Sequence, residues 1–175
     1  MSSACLHVIV MGVSGSGKSV VGKRLAALLG VEFIEGDDHH PAENIEKMAA
    51  GSPLTDEDRA PWLRALAEII AERHEDGVGT VLACSALRRA YRDLLRAAIP
   101  MEESFVIHLD ADVETLRSRL ASRRGHYMPV SLLDSQLTTL EPLEPDEAGV
   151  FVDAARPLDV VVASALAGTR DRASR

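Results

Sequence analysis

Eight consecutive residues carry the strongest chemical signal in the chain. Gly12, Val13, Ser14, Gly15, Ser16, Gly17, Lys18 and Ser19 follow the pattern GxxxxGK with a closing serine. Such a loop lets backbone N–H groups converge on phosphate oxygens, and a helix starting at its end adds positive potential. Lys18 is placed to reach β- and γ-phosphates, and Ser19 offers a hydroxyl to Mg²⁺. The pattern implies ATP with Mg²⁺ but does not say what becomes of the nucleotide.

A second group is the acidic turn Glu35, Gly36, Asp37, Asp38, His39 and His40, ending at Pro41. Asp37 is the candidate base, because a carboxylate beside a γ-phosphate accepts or aligns an alcohol proton and helps hold hydrated Mg²⁺. A helix cap or turn residue is the other reading of an aspartate here. Adjacent histidines point apart and no third ligand stands at a recognisable spacing. His40 is therefore expected to hydrogen-bond a substrate or to serve the helix entry.

Arginines form two further groups. Arg88, Arg89 and Arg92 follow Cys84 and Ser85 and fall in the opening turns of an expected helix. Cations there oppose the helix dipole, a cost that points to an anion nearby. Solvated arginines on an exposed face are the competing reading. Arg119 and Arg123 lie four apart and share a helix face, leading into Gly125, His126 and Tyr127. They are expected to clamp phosphates, with cations favoured at a helix C-terminus as the alternative. Cys84, with no histidine or second cysteine to activate it, reads as core.

The net charge of −8 and a pI near 5.2 oppose a nucleic-acid partner, whose affinity comes from clustered Lys and Arg. The 2 cysteines have neither CxxC nor metal-ligand spacing, so no disulfide framework or structural zinc site is implied, and a cytoplasmic setting fits. The apolar run at 6–11 has no basic segment before it and is too short for a signal or a membrane span.

The elements that must position these groups are legible in the periodicity. Apolar runs at 6–11, 31–34, 80–84, 104–109 and 150–152 predict buried strands, and helical spacing predicts helices over 18–29, 41–50, 55–75, 87–98, 113–122 and 157–167. Residues 169–175 read as a frayed tail. Strands alternating with helices predict a single α/β domain across 1–175, with a parallel sheet covered on both faces. Residues 123–145 break the alternation, with a helical piece near 130–140, and read as a lid insertion that excludes water.

Together these stretches resemble the P-loop gluconokinases, relatives of nucleoside monophosphate kinases and shikimate kinase. The resemblance is carried by MGVSGSGKS at 11–19, Gly36-Asp37 with His40-Pro41, NIEKM at 44–48 and PLTDEDRAPWL at 53–63. CSALRRAYRDLLR at 84–96 and RRGHYM at 123–128 complete it. It covers nearly the whole chain and implies ATP:D-gluconate 6-phosphotransferase activity, with Mg²⁺ and commonly a homodimer. The implied fold is a three-layer α/β/α P-loop domain whose five-stranded parallel sheet runs in the order 2-3-1-4-5. By motif position, residues 12–19 would hold ATP, Ser19 and Asp37 would serve Mg²⁺, and Asp37 would activate the 6-hydroxyl. Lys18 and Arg123 would assist transfer, and Arg119 would bind nucleotide on the lid side. His40, Lys47, Ser85, Arg88 and Arg92 would face the sugar acid, where a bidentate arginine suits a carboxylate. The chain departs from the family in carrying Arg88-Arg89 where Lys-Lys is frequent, and in having no aspartate in the strand at 80–85. The alternatives are a same-fold kinase for shikimate, a nucleotide or another sugar acid, or a nucleotide-binding regulator without chemistry.

Overall fold

Strand β1 (His7–Met11) is buried along its whole length, as a continuous apolar run must be in a sheet covered on both faces. The computed structural model describes residues 5–122 and 131–172. Around β1 lie β2 (Glu32–Glu35), β3 (Thr80–Ala83), β4 (Ser104–Asp110) and β5 (Gly149–Asp153). All pairings are parallel, and the order is β2-β3-β1-β4-β5, as the family resemblance implied.

The two faces of β1 divide the core. Val8 and Val10 point to one side, where α1 (Lys18–Leu29) and α7 (Leu158–Arg172) contribute Val21, Leu25, Val161 and Ala165. Ile9 and Met11 point to the other, against Trp62, Leu66 and Ile70 of α3 (Asp56–Glu75) and Leu95 of α4 (Arg89–Arg96). Alternation of side chains along a strand produces this split. The result is a three-layer α/β/α arrangement.

Three shorter helices complete the described chain: α2 (Ala42–Ala49), α5 (Val113–Ser122) and α6 (Ser131–Thr139). Leu116, Leu120 and Leu133 from the last two pack with Val13 and Leu87 at the sheet's C-terminal end. Helix α3 starts cleanly because Thr55 and Asp58 form a reciprocal capping box.

The expected tail is shorter than the composition suggests, since α7 continues to Arg172. Thr169 lies buried in that last stretch, its hydroxyl donating to the Leu166 carbonyl at 2.7 Å. Of the expected lid, residues 123–130 lie outside the described residues, Arg123 among them. The stretch from 131 onward is α6 and the segment leading to β5.

Candidate active site

The C-terminal ends of β1 to β4 bring the candidate groups to one edge, at the point where neighbouring strands diverge on either side of β1. The loop after β1 adopts positive φ at Gly12, Gly15 and Gly17, with values of 148°, 86° and 93°. A side chain on Gly12 would also lie 2.6 Å from the Leu109 carbonyl, so only glycine lets the loop seat against β4. Gly12 N–H donates to the Ser85 carbonyl at 3.3 Å, tying the loop to the turn after β3. Ser16 Oγ is buried with no hydrogen-bond partner, the kind of polar atom that a phosphate oxygen would satisfy. Lys18 Nζ donates to the Val13 carbonyl at 3.1 Å, lying along the loop it serves.

One cleft joins this loop to the acidic turn. Its wall includes Ser14, Lys18, Asp37, His40, Arg59 and Trp62, with Ser85 beside them and Ser135 and Gln136 from α6. Asp37 lies in a single 3-10 turn, Gly36–His39. Trp62 Nε1 donates to the Gly36 carbonyl at 2.7 Å and holds that turn from beneath. Gly36 is required there, because a Cβ would meet the Ala83 carbonyl at 2.5 Å. The imidazole of His40 is held well below its ordinary value, to about 4, chiefly by burial; Asp37 opposes the shift and Arg59 adds to it. It is therefore a neutral group at neutral pH. His39 points to solvent, so the two histidines do not act as a pair.

Asp37 also borders a shallow depression with Ser19, Glu35 and Asp38. These are hard oxygen donors of the type Mg²⁺ takes, and they fit the ion that the loop implied. On the far side of the loop, Arg119 and Arg156 border a second depression with Gly15, Ser16 and Gly17. Arg119 Nη2 donates to the Ala154 carbonyl at 2.7 Å, which anchors the guanidinium at the rim of this depression. Arg156 was not anticipated, because it follows a strand in a polar turn with no motif around it.

Three of the basic residues expected at the acceptor form ion pairs within the chain and lie outside the wall of this cleft. Arg92 is fully buried and binds the Glu147 carboxylate with both Nε and Nη2, each at 2.7 Å. Its Nη1 donates to the carbonyls of Ala86 and Glu141 at 3.1 and 3.0 Å. Ala86 has φ of 44°, so Arg92 braces a strained turn adjoining Ser85. Arg88 precedes α4 and pairs with Asp56 at 2.8 Å. Lys47 pairs with Asp58 at 2.6 Å and links α2 to α3. The anion that the arginines of α4 pointed to is thus the protein's own carboxylates, since Arg89 also binds Asp93, Glu144 and Asp146.

Arg59, named by none of the expectations, lines the cleft. It sits in the fourth position of α3, with Nη1 donating to the Leu54 carbonyl at 2.7 Å and the guanidinium 5.7 Å from the Tyr91 ring centroid. The same argument that singled out arginines in a helix's first turns would have found it. Cys84 is inert core, its thiol pushed up to about 12 mainly by burial.

A family model described as an AAA domain matches residues 8–143. The gluconokinase of Gluconobacter oxydans is 48% identical over 156 residues, spanning 89% of this chain and 86% of its own. The crystal structure of a gluconokinase from Sinorhizobium meliloti superposes with a TM-score of 0.88 at 47% identity, covering 98% of this chain and 95% of that one. An unliganded sugar kinase from a Janibacter species gives a TM-score of 0.90 at 49% identity, with 95% of each chain covered. Sequence, fold and the P-loop edge of the sheet agree that this chain belongs to the gluconokinase family of P-loop kinases.

Proposed function

We propose that the chain transfers the γ-phosphoryl group of ATP to the 6-hydroxyl of D-gluconate. The observation that carries this reading is the single cleft in which Lys18 of the phosphate loop and Asp37 of the acidic turn share a wall with Arg59. Asp37 accepts or orients the hydroxyl proton, Lys18 balances charge on the transferring group, and Arg59 receives the sugar-acid carboxylate. His40 and Ser85 supply neutral hydrogen-bonding groups for the hydroxyls between. Arg119 and Arg156 flank the nucleotide on the other side of the loop.

Ser19 and Asp37, with Asp38 near them, are the residues assigned to Mg²⁺. When bound, that ion neutralises charge on the β- and γ-phosphate oxygens. The reading includes one catalytic domain whose lid spans 123–145, with Arg123 reaching the phosphates when it closes. It also includes a homodimer and a cytoplasmic setting; no described helix is long and apolar enough to cross a membrane.

An ADP-release assay across D-gluconate, shikimate, nucleoside monophosphates and other sugar acids tests the proposal. Gluconate-dependent turnover is expected. Robust turnover on another acceptor with none on gluconate would overturn it.

A further inference from the structure

At the end of the sheet remote from the phosphate loop, four side chains from three stretches of the chain approach one another. Cys5 precedes β1, His7 opens it, His74 lies in the last turn of α3, and Glu103 ends a 3-10 turn just before β4. Cys5, His7 and His74 each offer one ligand atom, and these atoms all lie within 4.8 Å of one another. His7 Nε2 is 3.4 Å from His74 Nδ1, which in turn is 3.3 Å from Glu103 Oε2. That carboxylate oxygen is screened from solvent and takes no hydrogen bond.

Three of the four, Cys5, His7 and His74, lie at the spacing of a ligand cluster, and Glu103 borders that cluster at His74. Tetrahedral zinc with nitrogen or oxygen ligands at about 2.0–2.1 Å has ligand-to-ligand edges of about 3.3–3.4 Å. The two separations through His74 Nδ1 agree with that edge. The surroundings of His7 agree as well: its Nδ1 lies 3.0 Å from Thr80 Oγ1. With the proton on Nδ1, that hydroxyl fixes the ring and turns the Nε2 lone pair into the cluster, the usual support for a ligating histidine.

We propose that Cys5, His7 and His74 form a structural site for a divalent transition metal, zinc by the chemistry of its donors, with Glu103 turning in from beside His74 as the fourth ligand. A thiolate, two imidazoles and that carboxylate would then fill a tetrahedron, leaving no position for substrate. Thiolate and carboxylate together cancel the ion's two charges, which limits the cost of partial burial. On binding, the Cys5 S–H bond breaks, its proton passes to solvent, and the sulfur lone pair forms the metal bond without redox change. The site would pin the start of β1 to the end of α3 and to the turn before β4. Ligands at positions 5, 7, 74 and 103 have no motif spacing, so the chain order conceals the site that the sheet assembles.

Cobalt is the probe that tests it. The full chain, stripped with a chelator and kept in excess Mg²⁺ to occupy the nucleotide site, is titrated with Co²⁺ and then Zn²⁺. One equivalent of Co²⁺ should give intense tetrahedral d–d bands and a thiolate-to-cobalt charge-transfer band, both displaced by Zn²⁺. Cys5→Ser should abolish the charge-transfer band, and His74→Gln should weaken Zn²⁺ binding by at least about tenfold. Cys84→Ala should keep both spectral features. If the native protein shows no thiolate band, or the band survives in Cys5→Ser, the proposal fails, and the cluster is a set of neighbouring polar side chains only. Cys5 is partly exposed, so its serine variant tests the site without a core defect.

Discussion

The indole of Trp62 lies flat against the imidazole of His40, with ring centroids 3.9 Å apart and 16° between the planes. The same indole donates its N–H to the Gly36 carbonyl. One buried aromatic side chain thereby grips the acidic turn on both sides of Asp37. A large flat ring with one polar handle suits this task, since it fills core volume and still satisfies a backbone acceptor. Asp37 is carried by a four-residue 3-10 turn with little rigidity of its own, so its position depends on α3.

Asp37→Asn should lower kcat for gluconate phosphorylation by about 10²–10⁴-fold, the usual worth of a positioned general base. Nucleotide affinity, measured by calorimetric titration without acceptor, should change little. Turnover near the native value would remove Asp37 from the mechanism.

Arg59 and Arg88 separate two accounts of carboxylate recognition. If Arg59 binds the sugar acid, Arg59→Ala should raise KM for gluconate by roughly 10–100-fold, in line with about 1.5–3 kcal/mol for a hydrogen bond to a charged group. Arg88→Ala should have a much smaller effect, because that side chain is 41% exposed and spent on Asp56. Steady-state kinetics on both variants decide the matter, and the reverse ranking would restore Arg88 as the acceptor-side cation.

Arg92→Met should act on stability rather than on substrate affinity. It leaves the Glu147 carboxylate buried without its main partner, which costs about 3–5 kcal/mol. Glu147 feels burial first, which raises its pKa, yet the Arg92 hydrogen bonds and Coulombic attraction outweigh it and hold the carboxyl below its usual range. That contribution is present above the unfolded carboxyl value and is lost as pH falls through the folded one. Urea unfolding should show the drop in midpoint, with a gluconate KM close to native in the folded fraction.

His40 supplies a pH dependence of known sign. Its folded value of about 4 lies below the ordinary 6.5, so between these limits the unfolded chain binds the extra proton. The stability it contributes is complete above about pH 6.5 and is lost as pH falls towards 4. Asp37 and Arg59 are the charged groups acting on it. His7, also held at about 4 mainly by burial, acts in the same direction in native and variant alike. Melting midpoints across this window should fall less steeply for His40→Gln than for the native chain, and equal slopes would contradict the assignment.

The sequence alone determined the phosphate loop, the parallel α/β order and the acidic turn. Each is written in local signals: glycines needing positive φ, a six-residue apolar run, a proline or threonine at a helix start. It also placed Arg59 within a recognisable stretch, without revealing that this arginine reaches the cleft. Tertiary structure decided how the cations are shared out. Arg92 meets its carboxylate 55 residues further along the chain, and Lys47 meets Asp58 across a helix connection. A side chain's partner depends on which distant elements the sheet brings beside it, and an arginine's charge is the same whether it faces a substrate or a glutamate. Only folding chooses between them, because burial and proximity, not residue type, set which opposite charge lies within hydrogen-bonding distance.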